Sequence, residues 1–295
     1  MERHQITGHT ELIGLLAYPI RHSQSPATHN AAYEKLGVDI VNLAFEVDAP
    51  ELEDAIKGLR ALKMRGANVS MPNKTIVHQY LDEISPAAKL CGAVNTIVNK
   101  DGYLVGHITD GIGYVQSLKD NDIDPTGKKV TIVGSGGAAT AVEIQAALDG
   151  VAEMSIFARD DKFKQNALDT VKKINENTNC KATFYPLEDL DKLKEEMHSS
   201  YLFTNATGFG MKPLEGITYI PDPSFFRPDL IVTDVVYAPH ETAMLKMARH
   251  AGCKTMNGQG MMLFQAIAAI ELILGKRVDS EYMKEKLGIS YVYED

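Results

Sequence analysis

The sequence predicts an α/β protein of two domains, the first built on a mixed sheet and the second doubly wound on a parallel one, with a C-terminal helix that returns to the first. Three observations carry this. Short apolar runs alternate with segments of helical period along the whole of the 295 residues, with no internal repeat. From Lys129 onward the signal changes, and Val130-Thr131-Ile132-Val133 reads as a strand buried on both faces. After Gly258 one long apolar helix and a short charged tail remain, too little for a third domain. The expected division is 1–112, 113–258 and 259–295, the last packing on the first.

In chain order, Glu11 to Ala17 reads as a strand, Ser25 to Leu36 as a helix closed by Gly37, Val41 to Glu46 as a strand and Pro50 to Leu62 as a helix. Ala67 to Val69 is a short strand running into Ser70-Met71-Pro72-Asn73-Lys74, where the proline is expected to start a helix. Cys91 to Val98 and Tyr103 to His107 flank Asn99-Lys100-Asp101-Gly102, a hairpin turn by composition. In the second half, Val130 to Val133, Met154 to Ala158, Ala182 to Tyr185, Tyr201 to Asn205 and Leu230 to Val235 read as strands. Helices run from the glycine loop at 134 to Leu148 and from Lys162 to Glu176.

Composition excludes several classes. With 44% hydrophobic and 23% charged residues the chain is neither disordered nor fibrous. Thirty basic against 39 acidic residues give a formal charge of −9, which repels nucleic acid and anionic lipid. The most apolar stretch, Met261 to Leu274, is broken by Gln265 and Glu271 and reads as a buried helix, not a membrane span. Met1 to Gln5 lack the start of a secretory signal, so a cytoplasmic protein is expected. Three scattered cysteines (Cys91, Cys180, Cys253) indicate neither a disulfide frame nor a zinc site, and no metal is expected.

Gly134, Gly136 and Ala139 form G-x-G-x-x-A directly after an apolar strand and directly before a helix. Glycine allows the tight turn and the close approach of a pyrophosphate, and the free N–H groups of the helix start favour the anion, so a Rossmann-like dinucleotide-binding domain is expected. The second strand ends at Ala158-Arg159-Asp160-Asp161, where such folds select their cofactor. A carboxylate bonds the ribose hydroxyls of NAD, and an arginine pairs with the 2′-phosphate of NADP. Both kinds of group are here. Asp161 stands close to the position of the ribose-binding acid, and two adjacent acids repel a phosphate dianion, which favours NAD, with Arg159 keeping NADP open.

Four polar clusters lie before that domain: Ser23 and Ser25, Lys74, Asn95, and Thr109-Asp110. Singly each has a plain structural reading, Ser25 as a helix cap and Asp110 as a cap near Gly111 among them. Together they suit a polyhydroxylated acid. Serine hydroxyls bind its carboxylate, Lys74, Asn95 and Asp110 hold ring hydroxyls, and a lysine beside a carboxylate forms a proton-transfer dyad. Loss of hydride from a secondary alcohol requires a group that takes the O–H proton.

These residues resemble the shikimate dehydrogenase family, most closely its shikimate/quinate branch, over nearly the whole chain. Gly14 to Asn30 (GLLAYPIRHSQSPATHN), Ser70 to Lys74 (SMPNK), Gly92 to Thr96 (GAVNT), Thr109-Asp110, Gly134 to Ala139 (GSGGAA) and Asn205 to Met211 (NATGFGM) are similar to the family's ordered motifs. The resemblance implies Lys74 as proton acceptor and donor with Asp110 as its partner. It implies Ser23, Ser25, Ser70, Asn95, Thr109, Tyr237 and Gln265 around the substrate. For the cofactor it implies Gly134, Ser135, Gly136, Gly137, Ala138, Ala158, Arg159, Asp160, Asp161, Phe163, Thr207, Gly208, Val235 and Gly258. The implied reaction is reversible hydride transfer between the C3 position of shikimate or quinate and NAD or NADP, in a cleft holding both. Three departures stand out: Ile108 replaces an asparagine before Thr-Asp, Asn73 replaces a histidine as in the shikimate/quinate branch, and Ala158 to Asp161 lack the Asn-Arg-Thr of the NADP-specific branch. The alternative is a strictly NADP-dependent shikimate dehydrogenase of aromatic amino acid biosynthesis. A homodimer is left open. The rivals are a folate-linked methylene dehydrogenase and a non-catalytic nucleotide sensor.

Overall fold

The computed structural model describes residues 6–161 and 163–293. Met1 to Gln5, read above for a signal, and Lys162, the expected start of a helix, lie outside the described residues. Contacts divide the chain into two units: one runs to Thr109 and includes Leu263–Ile289, and the other comprises Asp110–Met262 and the chain from Ser290 on.

The first unit carries a mixed sheet. Its strands are β1 (Glu11–Ala17), β2 (Ile40–Glu46), β3 (Gly66–Val69), β4 (Glu83–Ile84), β5 (Thr96–Lys100) and β6 (Tyr103–His107), in the order β2-β1-β3-β5-β6-β4. β1 pairs parallel with β2 and β3, whereas β5 runs antiparallel to β3 and β6. The hairpin between β5 and β6 forms as composition dictates. Asp101 and Gly102 both take positive φ (52° and 95°), as a two-residue turn matching strand twist requires, and the Asn99 side chain accepts from the Gly102 N–H at 2.7 Å. Helix α1 (Ser25–Leu36) follows β1, and its N-cap is Gln24, so Ser25 is the first helical residue and not the cap expected of it. Helix α2 is Leu52–Ala61, preceded by a 3-10 turn at Ala49–Glu51, because the Asp48 and Glu51 side chains close a capping box there.

Two expectations fail here for local reasons. Pro72 starts no α-helix: the chain makes two short 3-10 turns, Asn73–Thr75 and Val77–Tyr80. The strand read from Cys91 begins only at Thr96, because Ser85-Pro86 starts helix α3 (Pro86–Cys91), with the Ser85 hydroxyl accepting from the Ala88 N–H at 3.3 Å.

The second unit begins with α4 (Asp110–Lys119). Its sheet comprises β7 (Lys129–Val133), β8 (Glu153–Ala158), β9 (Lys181–Pro186), β10 (Leu202–Asn205), β11 (Ile231–Asp234) and β12 (Lys254–Met256). All pairings are parallel, and the order β12-β11-β10-β7-β8-β9 is that of a doubly wound dinucleotide fold. Helices α5 (Gly137–Leu148), α6 (Lys164–Asn177), α7 (Leu190–Ser199) and α8 (Ala243–His250) alternate with the strands. One core beneath the strand ends joins Val133, Phe157, Leu193, Phe203, Val232 and Leu245, all fully buried. Each such aromatic contributes about 3–5 kcal/mol against truncation.

The expected break at 112/113 falls at 109/110 because α4 belongs to this core. The Tyr114 hydroxyl bonds those of Thr204 (2.6 Å) and Thr233 (3.0 Å), and Gly111 packs against the Ala141 carbonyl. At the other end the tail is divided. Helix α9 (Gln259–Leu274) packs on the first unit through Ile273, beside Gly66 of β3, and is followed by α10 (Ser280–Leu287) where a simple charged tail was expected. Beyond α10, Tyr291 accepts from the Asn257 N–H at 2.9 Å and Val292 bridges Met256, which ties this segment to the second unit. No helix of the described residues is long and apolar enough to cross a membrane.

Candidate functional site

In the first unit the topology gathers the polar clusters at one edge. β1 and β3 are parallel, so Ser23 and Ser25 (after β1) and Ser70 and Lys74 (after β3) leave the same side of the sheet. β5 is reversed and β6 reversed again, so Asn95, before β5, and Thr109, after β6, meet them there. Backbone bonds clip the segments together. The Ser70 N–H donates to Leu16 (3.1 Å), the Val69 N–H to Asn95 (2.8 Å), the Val94 N–H to Lys74 (2.8 Å) and the Asn95 N–H to His107 (2.9 Å). The Ser25 N–H donates to the Ser23 hydroxyl at 3.2 Å, which joins the two serines.

The Asn95 carboxamide is buried and oriented. Its oxygen accepts from the Thr109 N–H (2.9 Å) and the Thr96 hydroxyl (3.0 Å), and its nitrogen donates to the Thr109 hydroxyl (3.0 Å). Buried Asn73, where the resemblance leads to a histidine, donates to the Val47 carbonyl at 2.8 Å. Lys74 is half-buried, and Gln265 is half-buried in the second turn of α9. Asp110 lies in the first turn of α4, where the helix dipole favours a carboxylate.

In the second unit a cavity of about 270 Å³ opens at the carboxyl edge of the parallel sheet, between the loops that follow β7, β8 and β10. The crossover reverses direction between β7 and β10, and crevices at such switch points are where doubly wound folds bind ligands. Gly134 makes this junction possible. Its φ is +150°, and a Cβ there would stand 2.6 Å from the Ala206 carbonyl oxygen. The helix behind the loop is capped by Gly136 without any side-chain bond, which leaves its first-turn N–H groups to an anion. Asn166 of α6 donates to the Ser135 carbonyl and fixes the loop from behind.

Gly134, Ser135, Gly136, Ala158, Arg159, Asp161, Phe163, Thr207 and Gly208 line the cavity. Gly137 and Ala138 are exposed on the first turn of α5, and Asp160 pairs outward with Lys164 at 3.0 Å. Arg159 and Asp161, read as alternatives, form an ion pair of 3.4 Å, and Asp161 also accepts from the Phe163 N–H at 2.8 Å. Val235 and Gly258 stand together beyond the cavity wall. The Gly258 N–H donates to Val236 at 2.9 Å, and any Cβ on Gly258 would strike the Val235 carbonyl oxygen. Tyr237 follows on an exposed loop. Sequence reasoning missed Val133, Leu187, Ala206, Phe209 and Leu214 of the wall. Ala206 and Phe209 fall inside the NATGFGM segment and Val133 ends an apolar strand, but Leu187 and Leu214 come from loops that carry no local mark.

A family model for the shikimate dehydrogenase substrate binding domain matches residues 15–97. A shikimate dehydrogenase (NADP(+)) of Listeria innocua is 58% identical over 283 residues, 96% of this chain and 97% of that protein. The crystal structure of shikimate 5-dehydrogenase from Listeria monocytogenes in complex with shikimate and NAD superposes with a TM-score of 0.95 at 58% identity, covering 97% of this chain and 99% of that one. Quinate dehydrogenase from Corynebacterium glutamicum in complex with NAD is 29% identical with a TM-score of 0.84, over 95% and 99% of the two chains.

Proposed function

The chain belongs to the shikimate dehydrogenase family and is an oxidoreductase, and we propose that it interconverts the C3 alcohol and ketone of shikimate, and of quinate, with NAD favoured over NADP. The observation that carries the reading is the convergence of Ser23, Ser25, Ser70, Lys74, Asn95 and Thr109 on one edge of the first sheet. Its chemistry suits a polyhydroxylated carboxylate. The paired serines offer hydroxyl donors for the carboxylate, and the Asn95–Thr109 bonds hold that carboxamide in one orientation for a ring hydroxyl. Lys74 takes the alcohol proton as hydride leaves and returns it in the reverse direction, and Asp110 acts with it as partner and ring-hydroxyl acceptor. Tyr237 and Gln265 complete the substrate contacts.

The second unit fits a dinucleotide: a glycine loop at a switch point, an uncapped helix start, and an arginine and a carboxylate after the second strand. When bound, the nicotinamide supplies the hydride acceptor or donor. The residues that the resemblance implies for it, from Gly134 to Gly258, hold it. NAD is favoured because Asp161 already occupies the Arg159 guanidinium, and a 2′-phosphate must displace that carboxylate to use it. Arg159 is 59% and Asp161 36% exposed, so the pair is worth about 0–1 kcal/mol and NADP is disfavoured without being shut out. The protein works in the cytoplasm on this reading.

Initial rates of nicotinamide reduction for shikimate and quinate, each with NAD and with NADP, test the proposal. Turnover of both acids with NAD ahead is expected. Turnover of shikimate with NADP alone overturns the cofactor and quinate assignments, and no turnover in any pair overturns the reading.

A further inference from the structure

Asp234 ends β11, buried and outside every role assigned so far. Both of its carboxylate oxygens are used. Oδ1 accepts from the Asn205 side-chain amide and the Val236 N–H, each at 2.9 Å, and Oδ2 accepts from the Thr242 hydroxyl at 2.9 Å. Asn205, at the end of β10, is the second hub. Its nitrogen also donates to the Phe209 carbonyl (3.3 Å), and its oxygen accepts from the Thr207 N–H (3.2 Å), the Thr207 hydroxyl (2.7 Å) and the Tyr219 hydroxyl (3.2 Å). A primary amide whose two hydrogens face a carboxylate and a carbonyl can stand only one way round.

The network spans two loops that matter to the site. Thr207 and Phe209 line the cavity, and the Phe209 ring is braced edge-on by Tyr219 at 5.4 Å between centroids. Val236 begins the segment that bears Tyr237 and accepts from Gly258. The loop after β10 and the loop after β11 therefore have a shared anchor, and that anchor is one carboxylate.

We propose that Asp234 is a positioning residue for hydride transfer: through Asn205, Val236 and Thr242 it sets the loops after β10 and β11 against each other and so fixes the inner end of the cofactor cavity. This rests on the dehydrogenase reading above. Misplacing reacting groups by about 1 Å costs on the order of 10²-fold in rate while leaving remote binding contacts intact, so the effect belongs in kcat. Burial raises the Asp234 carboxyl to about 7, and its three hydrogen-bond donors pull the other way.

The test uses Asp234→Ala, Asp234→Asn and Thr242→Ala in the full chain, with melting temperature, kcat and KM for each ligand. Asn keeps the acceptor toward Asn205 and Val236 and offers its amide to the Thr242 oxygen, so it should keep kcat within about threefold of wild type. Asp234→Ala should lose roughly tenfold or more in kcat with KM for the hydroxy acid unchanged. Thr242→Ala, which removes one donor together with the N-cap of α8 (Leu245 N–H, 3.3 Å) and is read in any case should Asp234→Ala not fold, should lose several-fold in kcat with the same split, beyond any drop in melting temperature from the lost cap. Folded alanine variants with wild-type kcat overturn the inference, as does an Asn variant as impaired as Ala. A wild-type enzyme without turnover overturns the functional reading and this inference with it, whereas an active wild type with unaffected variants overturns the inference alone.

Discussion

At one edge of the first sheet, Ser70, Lys74, Asn95 and Thr109 arrive on loops and present side chains, while at the carboxyl edge of the second sheet the glycine loop that borders the cavity presents backbone. The Gly134 junction, the Gly136 cap and the carbonyls of Ser135 and Ala206 are features that no side chain supplies. The contrast follows from the ligands assigned to each. A ring with several hydroxyls and one carboxylate must be told apart by placed donors and acceptors. A pyrophosphate is held by N–H groups and a helix dipole, which any sequence provides once the turn is tight enough.

That difference can be broken from either side. The largest effect is expected at Lys74→Ala, where loss of the proton acceptor should lower kcat by about 10²–10⁴ with little change in melting temperature, since the side chain is half-buried in the short 3-10 turn Asn73–Thr75. Steady-state rates with a melt on the same preparation check it, and near-normal turnover would remove Lys74 from the mechanism. Gly134→Val comes next. Its Cβ meets the Ala206 carbonyl oxygen in a backbone conformation that valine resists, so affinity for the dinucleotide should fall on the order of tenfold or more, read by titration.

A smaller change is expected at Asp161→Ala, which frees Arg159. NAD should weaken and NADP strengthen, by a few-fold each and less at high salt. Equal changes for both cofactors would count against the role given to the pair.

The smallest effect sharpens the comparison through stability. Glu143, in the middle of α5, is fully buried, and neither carboxyl oxygen has a hydrogen-bond partner among the described residues. Burial raises it to about 8. A carboxyl raised in the folded state supports the fold while protonated, below its unfolded value of about 4.3, and that support is lost as pH rises toward 8. Glu143→Gln should match wild type near pH 4.5 and melt a few degrees higher at pH 8.5. A constant difference across pH would show that the carboxyl does not titrate in the fold.

The two units were also unequally legible. In the second, a strand such as Val130 to Val133 is buried on both faces and carries a single polar residue, Thr131, so it announces itself, and the glycine loop follows directly. What escaped there was short. β12 has three residues, and α7 and α8 span few turns, so their periodicity repeats too seldom to register. In the first unit the polar residues were visible, but what gathers them was not. That depends on β5 running against β3, a pairing between segments far apart in sequence, and on α3, where no element was expected. The Arg159–Asp161 pair was visible only as two competing residues, because sequence gives their order and not the 3.4 Å between them.

The division of labour is tested most directly by titrating NADH and shikimate separately into Lys74→Ala and Gly134→Val, and measuring turnover on the same samples. The account predicts that Lys74→Ala binds NADH as wild type does and does not turn over, while Gly134→Val binds shikimate and loses NADH. Loss of NADH binding in Lys74→Ala, or full NADH binding in Gly134→Val, would contradict it.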